Sequence, residues 1–543
     1  MIIKAPPFPQ PQTGPSLLET AQNRLQVGDV TQAEYCCRRF LPDAPANPEA
    51  LHLLGLIAFQ AGDTARALLA FGRAVAVRPD HVRAHANRAG ALQRLGHHEA
   101  AHQACLRALA LDPALPALQQ NLGALLRELG RAEQALKAFR RSARLAPQNG
   151  AAFHALGNAL RGMGRLDEAM EAYQRLISLH PAAATAHGNL GVMLQFQGRL
   201  VEASACYARA LAIDPSYAEA RSNLGLVQLL TGDLAAGWVN HAARWETGDR
   251  AASRRDFPLP AWNGAPLAGK KLLVWGELGV GDEILLAGMV PDLAERGIGC
   301  VLETAPRLVP LFARSFPDVE VVPRTAPPDP ATGRAELAAH CALGDLGRRL
   351  RPDFDSFPRR PAYLAADPEK VRVLRARYRA EAGDNLLVGI SWHSANPDHR
   401  DFKSAPLELW QPILELPGIT FVDLQYGDRS AELGAVRRKF GVTILRDALI
   451  DPLADLDGFA AQVATLDLVI SISNTTVHVA GALGIPVWTL LARQTGFLWC
   501  WFTEREDSPW YPSMRLYRQR TAGDWTPVLE RVRGNLARLL AAR

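Results

Sequence analysis

Along the first half of the chain, small and apolar residues return at helical intervals, and the whole pattern repeats every 34 residues. Gly55, Ala89, Gly123, Gly157, Gly191 and Gly225 fill one slot, and Ala67, Ala101, Ala135, Ala169 and Ala203 fall twelve positions later. Phe71, Cys105, Phe139, Tyr173 and Tyr207 lie four beyond those, and Pro79, Pro113, Pro147, Pro181 and Pro215 close each unit. Small residues let the two helices of a unit touch. The larger side chain fills the gap to the next unit, and proline breaks the chain between units. Ala33, Cys37 and Pro45 carry the register backwards, so the array starts near Gly14. Six units run to about Pro215; a seventh, starting near Tyr217, loses the pattern from Gly232 in GDLAAGWVNHAARW.

After Trp245 the period changes. Residues 249–270 are polar, then rich in proline and glycine, and mark a boundary. Short apolar runs bounded by turn residues predict strands at Lys271–Trp275, Cys300–Glu303 and Val319–Val322. A second set follows at Leu386–Ser391, Ile419–Leu424, Leu468–Ile472, Val487–Leu491 and Met514–Gln519. Helices are expected over Asp367–Gly383 and Thr526–Ala541, the latter with Thr526 as N-cap and Pro527 at its first position. The stretch Leu468–Gly484 reads as strand, turn and very short helix. Ser473, Asn474 and Thr475 form the turn and cap, and Gly484 with Pro486 stops the helix. Exposed N–H groups and the positive dipole end there favour a phosphate or another anion. The loops GELGVGD, WHSANPDHRDFK, LQYGD and SISNTTVH all follow strands, so all can face one cleft outside the carboxyl ends of parallel sheets.

Length and composition narrow the class. A chain of 543 residues should hold several domains, and 48% hydrophobic with 21% charged residues is an ordinary soluble balance. The net charge of +5 is small and the basic residues are scattered, which argues against a nucleic-acid partner. No apolar run approaches the roughly 20 residues of a membrane span. Residues 1–13 are proline-rich without an apolar core and are expected to be a disordered tail, not a signal peptide. Seven cysteines without a CxxC point to a reducing cytoplasm. No His, Cys or Asp cluster has metal-ligand spacing, so no metal is expected. GAPLAGKK ends in Lys271 where a P-loop needs Ser or Thr, and it precedes a strand instead of following one.

Asn87, Asn121, Asn189 and Asn223 lie two residues before the glycine slot. A ladder of amides, each with a donor and an acceptor, can pair with the backbone of an extended peptide. The alternative is that asparagine simply suits that helical position.

The slots quoted above resemble the tetratricopeptide-repeat family, which implies a protein-binding array. The GVGDEI turn and SISNTTVHVAGALGIPVW resemble a GT-B glycosyltransferase of the heptosyltransferase-like superfamily. WNGAPLAGKKLLVWGELGVGDEILLAG and REDSPWYPSMRLYRQ resemble a bacterial subgroup that carries tetratricopeptide repeats before this domain. The arrangement is similar to flagellin glycosyltransferases, whose repeats recognise flagellin and whose catalytic part adds a nonulosonic acid such as pseudaminic acid. It is similar in architecture to O-GlcNAc transferase, without a matching catalytic motif.

The resemblance implies an all-α repeat superhelix over residues 14–247 and a linker over 248–269. Two Rossmann-like α/β units follow, 270–365 on the acceptor side and 366–543 on the nucleotide-sugar side. It implies a cytoplasmic, metal-independent, inverting protein O-glycosyltransferase without a resident cofactor, its donor a nucleotide sugar such as a CMP-linked one. Asp282 falls at the family's general base and Lys403 at its phosphate-binding lysine. Asn474, Thr475 and Thr476 would wrap the donor phosphate, with Ser473 before them and His478 after. Ser473 stands where heptosyltransferases carry aspartate in D-T-x-x-x-H, and Asn474 stands at the threonine. The competing expectations are a repeat scaffold with an inactive transferase-like domain, and a lipopolysaccharide sugar transferase, for which protein-binding repeats have no evident use. Residue by residue, Asp282 can be a helix N-terminal charge, Lys403 a solvated loop charge and His478 a packed helix residue. Trp499, Trp501, Trp510 and Tyr511 can stack on a sugar or base, or pack on the core.

Overall fold

The computed structural model describes residues 14–395, 400–493 and 498–543. The expected tail, 1–13, and the centre of WHSANPDHRDFK, 396–399, lie outside the described residues. The chain divides into two compact units, Met1–Met193 and Leu194–Arg543.

Fourteen α-helices, from Gly14–Gln26 to Leu234–His241, make up the repeats among the described residues. Their turns follow from the sequence. Asp63 accepts from the Arg66 N–H at 3.0 Å and starts one helix, just after Gly62 adopts the left-handed φ of 84° that only glycine takes without strain. Asn47 accepts from the Ala50 N–H at 3.0 Å, with Pro48 opening the helix before that one.

The glycine slot has a direct steric cause. A Cβ on Gly55 would lie 2.4 Å from the Phe71 ring, on Gly123 2.7 Å from Phe139, and on Gly157 2.6 Å from Tyr173. Two early repeats have alanine in that slot, Ala21 and Ala89, and each has a slimmer cysteine, Cys37 and Cys105, in place of the aromatic. The two slots therefore compensate for each other. Cys105→Phe alone should cost about 1–3 kcal/mol by overpacking. Adding Ala89→Gly should relieve the clash and recover what exceeds the cost of about 1 kcal/mol for glycine within a helix. Urea unfolding of the two variants checks this; a double variant no more stable than the single would refute the pairing.

In the second unit the last repeat helices pack on the α/β region, and this accounts for the degenerate seventh repeat. Trp238 donates from Nε1 to the Arg351 carbonyl at 2.8 Å, and its ring meets Trp499 edge-on at 5.1 Å. Gly347 lies under the Trp238 ring, where a Cβ would come within 2.4 Å. Arg244 is buried and pairs with Glu277 at 2.7 Å and Asp345 at 2.7 Å, its guanidinium lying 4.5 Å from the Trp245 ring. These residues left the repeat pattern because they hold a different neighbour. The compact division thus falls well before the change of sequence pattern at Trp245.

Two parallel sheets follow. The first comprises β1 (Lys271–Trp275), β2 (Cys300–Thr304), β3 (Glu320–Pro323) and β4 (Leu337–Ala342), in the order β3-β2-β1-β4. The second comprises β5 (Leu386–Ser391), β6 (Ile419–Asp423), β7 (Leu468–Ile472), β8 (Val487–Leu491) and β9 (Met514–Arg518), in the order β6-β5-β7-β8-β9. This is the expected class: an all-helical repeat array followed by two parallel α/β units. Strand β4, LAAHCA, was not expected; alanine and histidine are weak strand formers, and pairing with β1 supplies what local propensity lacks. The final helix corrects a cap. Thr526 is its first residue, not the N-cap; Trp525 holds that position, and Asp524 Oδ1 accepts from the Thr526 N–H at 3.1 Å. Among the described residues no helix is long and apolar enough to cross a membrane. All seven cysteines are free thiols.

Candidate functional site

Chain order reverses between β1 and β4 in the first sheet and between β5 and β7 in the second. Ligands of open parallel sheets bind outside the carboxyl ends at such points. Three of the singled-out loops leave β1, β5 and β7 there, and the fourth leaves the neighbouring β6.

From β1 the chain enters GELGVGD and the Val280–Ala287 helix. Asp282 is half-buried in the first turn, where Oδ2 accepts from the Gly279 N–H at 3.3 Å. The next residue has another task. Glu283 is fully buried and accepts from Thr304 Oγ1 at 2.6 Å and the Ala305 N–H at 3.0 Å, and it pairs with Arg324. It ties the ends of β2 and β3 beneath the helix, so one carboxylate of the pair is structural and the other stands at the helix start.

From β7 the chain reaches Asn474, the N-cap of the Thr475–Ala482 helix, whose Oδ1 accepts from the Thr476 N–H at 3.1 Å. Its Nδ2 donates to Ser391 Oγ at 2.7 Å, crossing the switch point to the end of β5. Ser391 donates in turn to Gln425 Oε1 at 3.0 Å, which also accepts from the Trp392 and His393 N–H groups. The loops after β5, β6 and β7 are thereby fastened together. Ser391 and Gln425 were not singled out from the sequence, since neither spacing nor residue type marks a buried amide relay.

The two helices meet at their N-terminal turns. A Cβ on Gly281 would lie 3.1 Å from His478 Cδ2 and 3.5 Å from Thr475 Oγ1, so glycine is what lets Asp282 and Thr475 approach. Lys403 ends the Arg400–Lys403 turn and is half-buried. Burial pushes its ammonium below the ordinary lysine range, opposed by Cys500 and Asp282 close by. Asp282, Lys403, Asn474, Thr475 and the buried Thr476 therefore share one place. Among the described residues the Thr475 hydroxyl has no hydrogen-bond partner.

Ser473 and His478 point elsewhere. Ser473 Oγ accepts from Trp501 Nε1 at 2.8 Å. His478 is buried, with Nδ1 3.0 Å from the Tyr511 hydroxyl and its ring stacked on Trp501 at 5.1 Å. Trp499, Trp501, Trp510 and Tyr511 are all buried, so this aromatic loop is core. Burial above all, then Lys403, holds His478 down to about 3. Its folded pKa lies below the unfolded value near 6.5, so the stability gained by keeping the ring neutral is complete above that pH. It is lost as pH falls towards 3. An NMR titration should find the His478 ring neutral at pH 5; a midpoint near 6.5 would contradict this packing.

The asparagine slot is heterogeneous. Asn87 Nδ2 lies 2.8 Å from His52 Nε2, and Asn189 accepts from Arg161 at 3.4 Å. Asn121 is exposed and Asn223 half-buried. Two of the four amides are thus tied to side chains of the array itself.

Comparison with known proteins bears mainly on the helical part. Tetratricopeptide-repeat family models match residues 18–76, 52–116, 154–218 and 194–237, and a further one matches 116–149. The chain is 37% identical over 320 residues to Protein FlbA of Caulobacter vibrioides. That match covers 56% of this chain and 52% of the relative, so the chain spans about half the length of the curated protein it matches. A tetratricopeptide-repeat protein from Parabacteroides merdae is similar at 20% identity, with a TM-score of 0.36 and coverage of 45% of this chain and 96% of that one. PilF of Pseudomonas aeruginosa is similar at 19% identity, with a TM-score of 0.35 and coverage of 38% and 95%. The N-terminal part of the chain is a tetratricopeptide-repeat array.

Proposed function

We propose that this chain is a protein O-glycosyltransferase of GT-B type, working in the cytoplasm. Its repeats hold an acceptor protein, flagellin by resemblance, and its second unit transfers a sugar from a nucleotide donor to Ser or Thr. A nonulosonic acid such as pseudaminic acid, carried on CMP, is the sugar implied by that resemblance. The observation that carries the reading is the meeting of Asp282, Lys403 and Thr475 where two helices start, outside the carboxyl ends of β1, β5 and β7.

The chemistry follows from those groups. Asp282 takes the proton of the acceptor hydroxyl as its oxygen bonds to the anomeric carbon. The bond from that carbon to the donor phosphate oxygen breaks, and negative charge grows on the leaving phosphate. Lys403, the Thr475 hydroxyl and the N–H groups of the helix start offset that charge.

Losing one charge-assisted phosphate contact costs about 1.5–3 kcal/mol, so Lys403→Ala should weaken nucleotide-sugar binding roughly tenfold to hundredfold. Thr475→Ala should weaken it less. Calorimetric titration with CMP-, UDP-, GDP- and ADP-activated sugars tests the donor side; saturable binding of one class, weakened in Lys403→Ala, is the expected result. Binding of none would sink the donor site. A second reading, a repeat scaffold with an inactive domain, is favoured by one feature. Ser473 and His478, two of the family's donor-side positions, are engaged by Trp501 and Tyr511.

A further inference from the structure

The second and third helix pairs of the array bring together residues that no spacing rule connects. Glu49 and His52 stand one turn apart on the Pro48–Gln60 helix. His81 opens the next pair, at the N-cap of Val82–Arg94. One ligand atom from each of the three lies within 4.8 Å of the others.

We propose that Glu49, His52 and His81 form a binding site for one late first-row divalent cation, zinc above all. His81 carries the argument. At the equivalent N-cap slot Asn47 and Asn149 make side-chain cap bonds, whereas His81 makes none. Its imidazole is buried, and Nε2 has no hydrogen-bond partner although it faces Glu49 Oε2 at 3.5 Å. A buried donor or acceptor left unmatched is costly unless something else occupies it.

The surroundings match what such ions need. The His52 and His81 rings lie 4.9 Å apart, with the Asn87 amide 2.8 Å from His52 Nε2. Arg78 binds Glu49 Oε1, which leaves Oε2 turned towards His81 and gives the carboxylate the outer hydrogen bond that metal ligands usually have. Two imidazoles and a carboxylate suit zinc, and the exposed side of Glu49 leaves a fourth position for water. The ion would join one repeat to the next.

The test uses the full chain, stripped with a chelator, and Zn2+ alone, titrated in competition with a chromophoric chelator. One tight zinc per chain is expected, with a rise in the temperature of unfolding. Both should be absent in His81→Asn, which restores the cap of the equivalent repeats and keeps the array folded. Glu49→Gln should weaken binding at least tenfold. Co2+ should give the intense visible bands of a four-coordinate site in the unaltered chain and only weak bands in His81→Asn. Equal zinc binding by the unaltered chain and His81→Asn, or only the weak cobalt bands of a hydrated ion, would overturn the proposal.

Discussion

Asp282→Asn should lower the rate of sugar transfer about a hundredfold to ten-thousandfold with donor and acceptor affinity little changed. Asparagine keeps the size of the side chain, and its amide oxygen can still accept from the Gly279 N–H, so the helix start should survive. What it cannot do is take a proton at neutral pH. If Asp282 were only a favourable charge beside the helix dipole, the substitution would cost at most about 1 kcal/mol of stability and transfer would be intact. Single-turnover rates with saturating donor and acceptor separate the two cases. Unchanged rates would move the base elsewhere, with His393 at the end of β5 next in line. His478 is the weaker alternative because it is packed between Trp501 and Tyr511.

The largest effect on stability should come from Glu277→Ala. Arg244 and Glu277 are both buried and joined by two hydrogen bonds, at 2.7 and 3.0 Å, and Glu277 also accepts from the Gly344 N–H at 2.9 Å. Removing one partner of a buried pair leaves a charge in a poorly solvating place, a loss of about 3–5 kcal/mol. Asp345 would still pair with Arg244, but it is half-buried and better solvated, so it compensates in part. Urea unfolding should show the loss in the transition of the Leu194–Arg543 unit. Replacing Arg244 and Glu277 together with Met and Leu should restore part of it, since the buried guanidinium is gone, while Asp345 loses its cation and the Gly344 N–H its acceptor. A loss below about 1 kcal/mol in Glu277→Ala would show that the last repeat helices are held by Trp238 and its neighbours instead.

The parts of the fold legible in the sequence are those where local pattern and tertiary role coincide. β1, β5, β7 and β8 read as apolar runs because both faces of a parallel strand are covered. The repeat slots read as a period because a small residue faces the side chain from the next helix in unit after unit, as glycine against an aromatic ring at Gly55, Gly123 and Gly157. β4 was hidden because Leu337–Ala342 owes its conformation to pairing with β1 rather than to its residues. In the site, Asp282, Asn474 and Thr475 were visible as cap residues at strand ends. Ser391 and Gln425 were not, because a relay of buried hydroxyl and amide groups leaves no spacing. Ser473 and His478 were readable as members of a motif, yet their side chains answer to Trp501 and Tyr511, which lie far along the chain. The same limit hid Glu49, His52 and His81, since the fold joins consecutive repeats that the sequence only lists in order.

The most direct test of the central claim is the intact mass of the acceptor protein, purified after co-expression with this chain and a complete nucleotide-sugar pathway. With the unaltered chain the acceptor should gain whole sugar increments on Ser or Thr, and with Asp282→Asn it should gain none. An acceptor whose mass never changes with the unaltered chain, across sugars carried on CMP, UDP, GDP and ADP, would contradict transferase activity and leave the repeat scaffold.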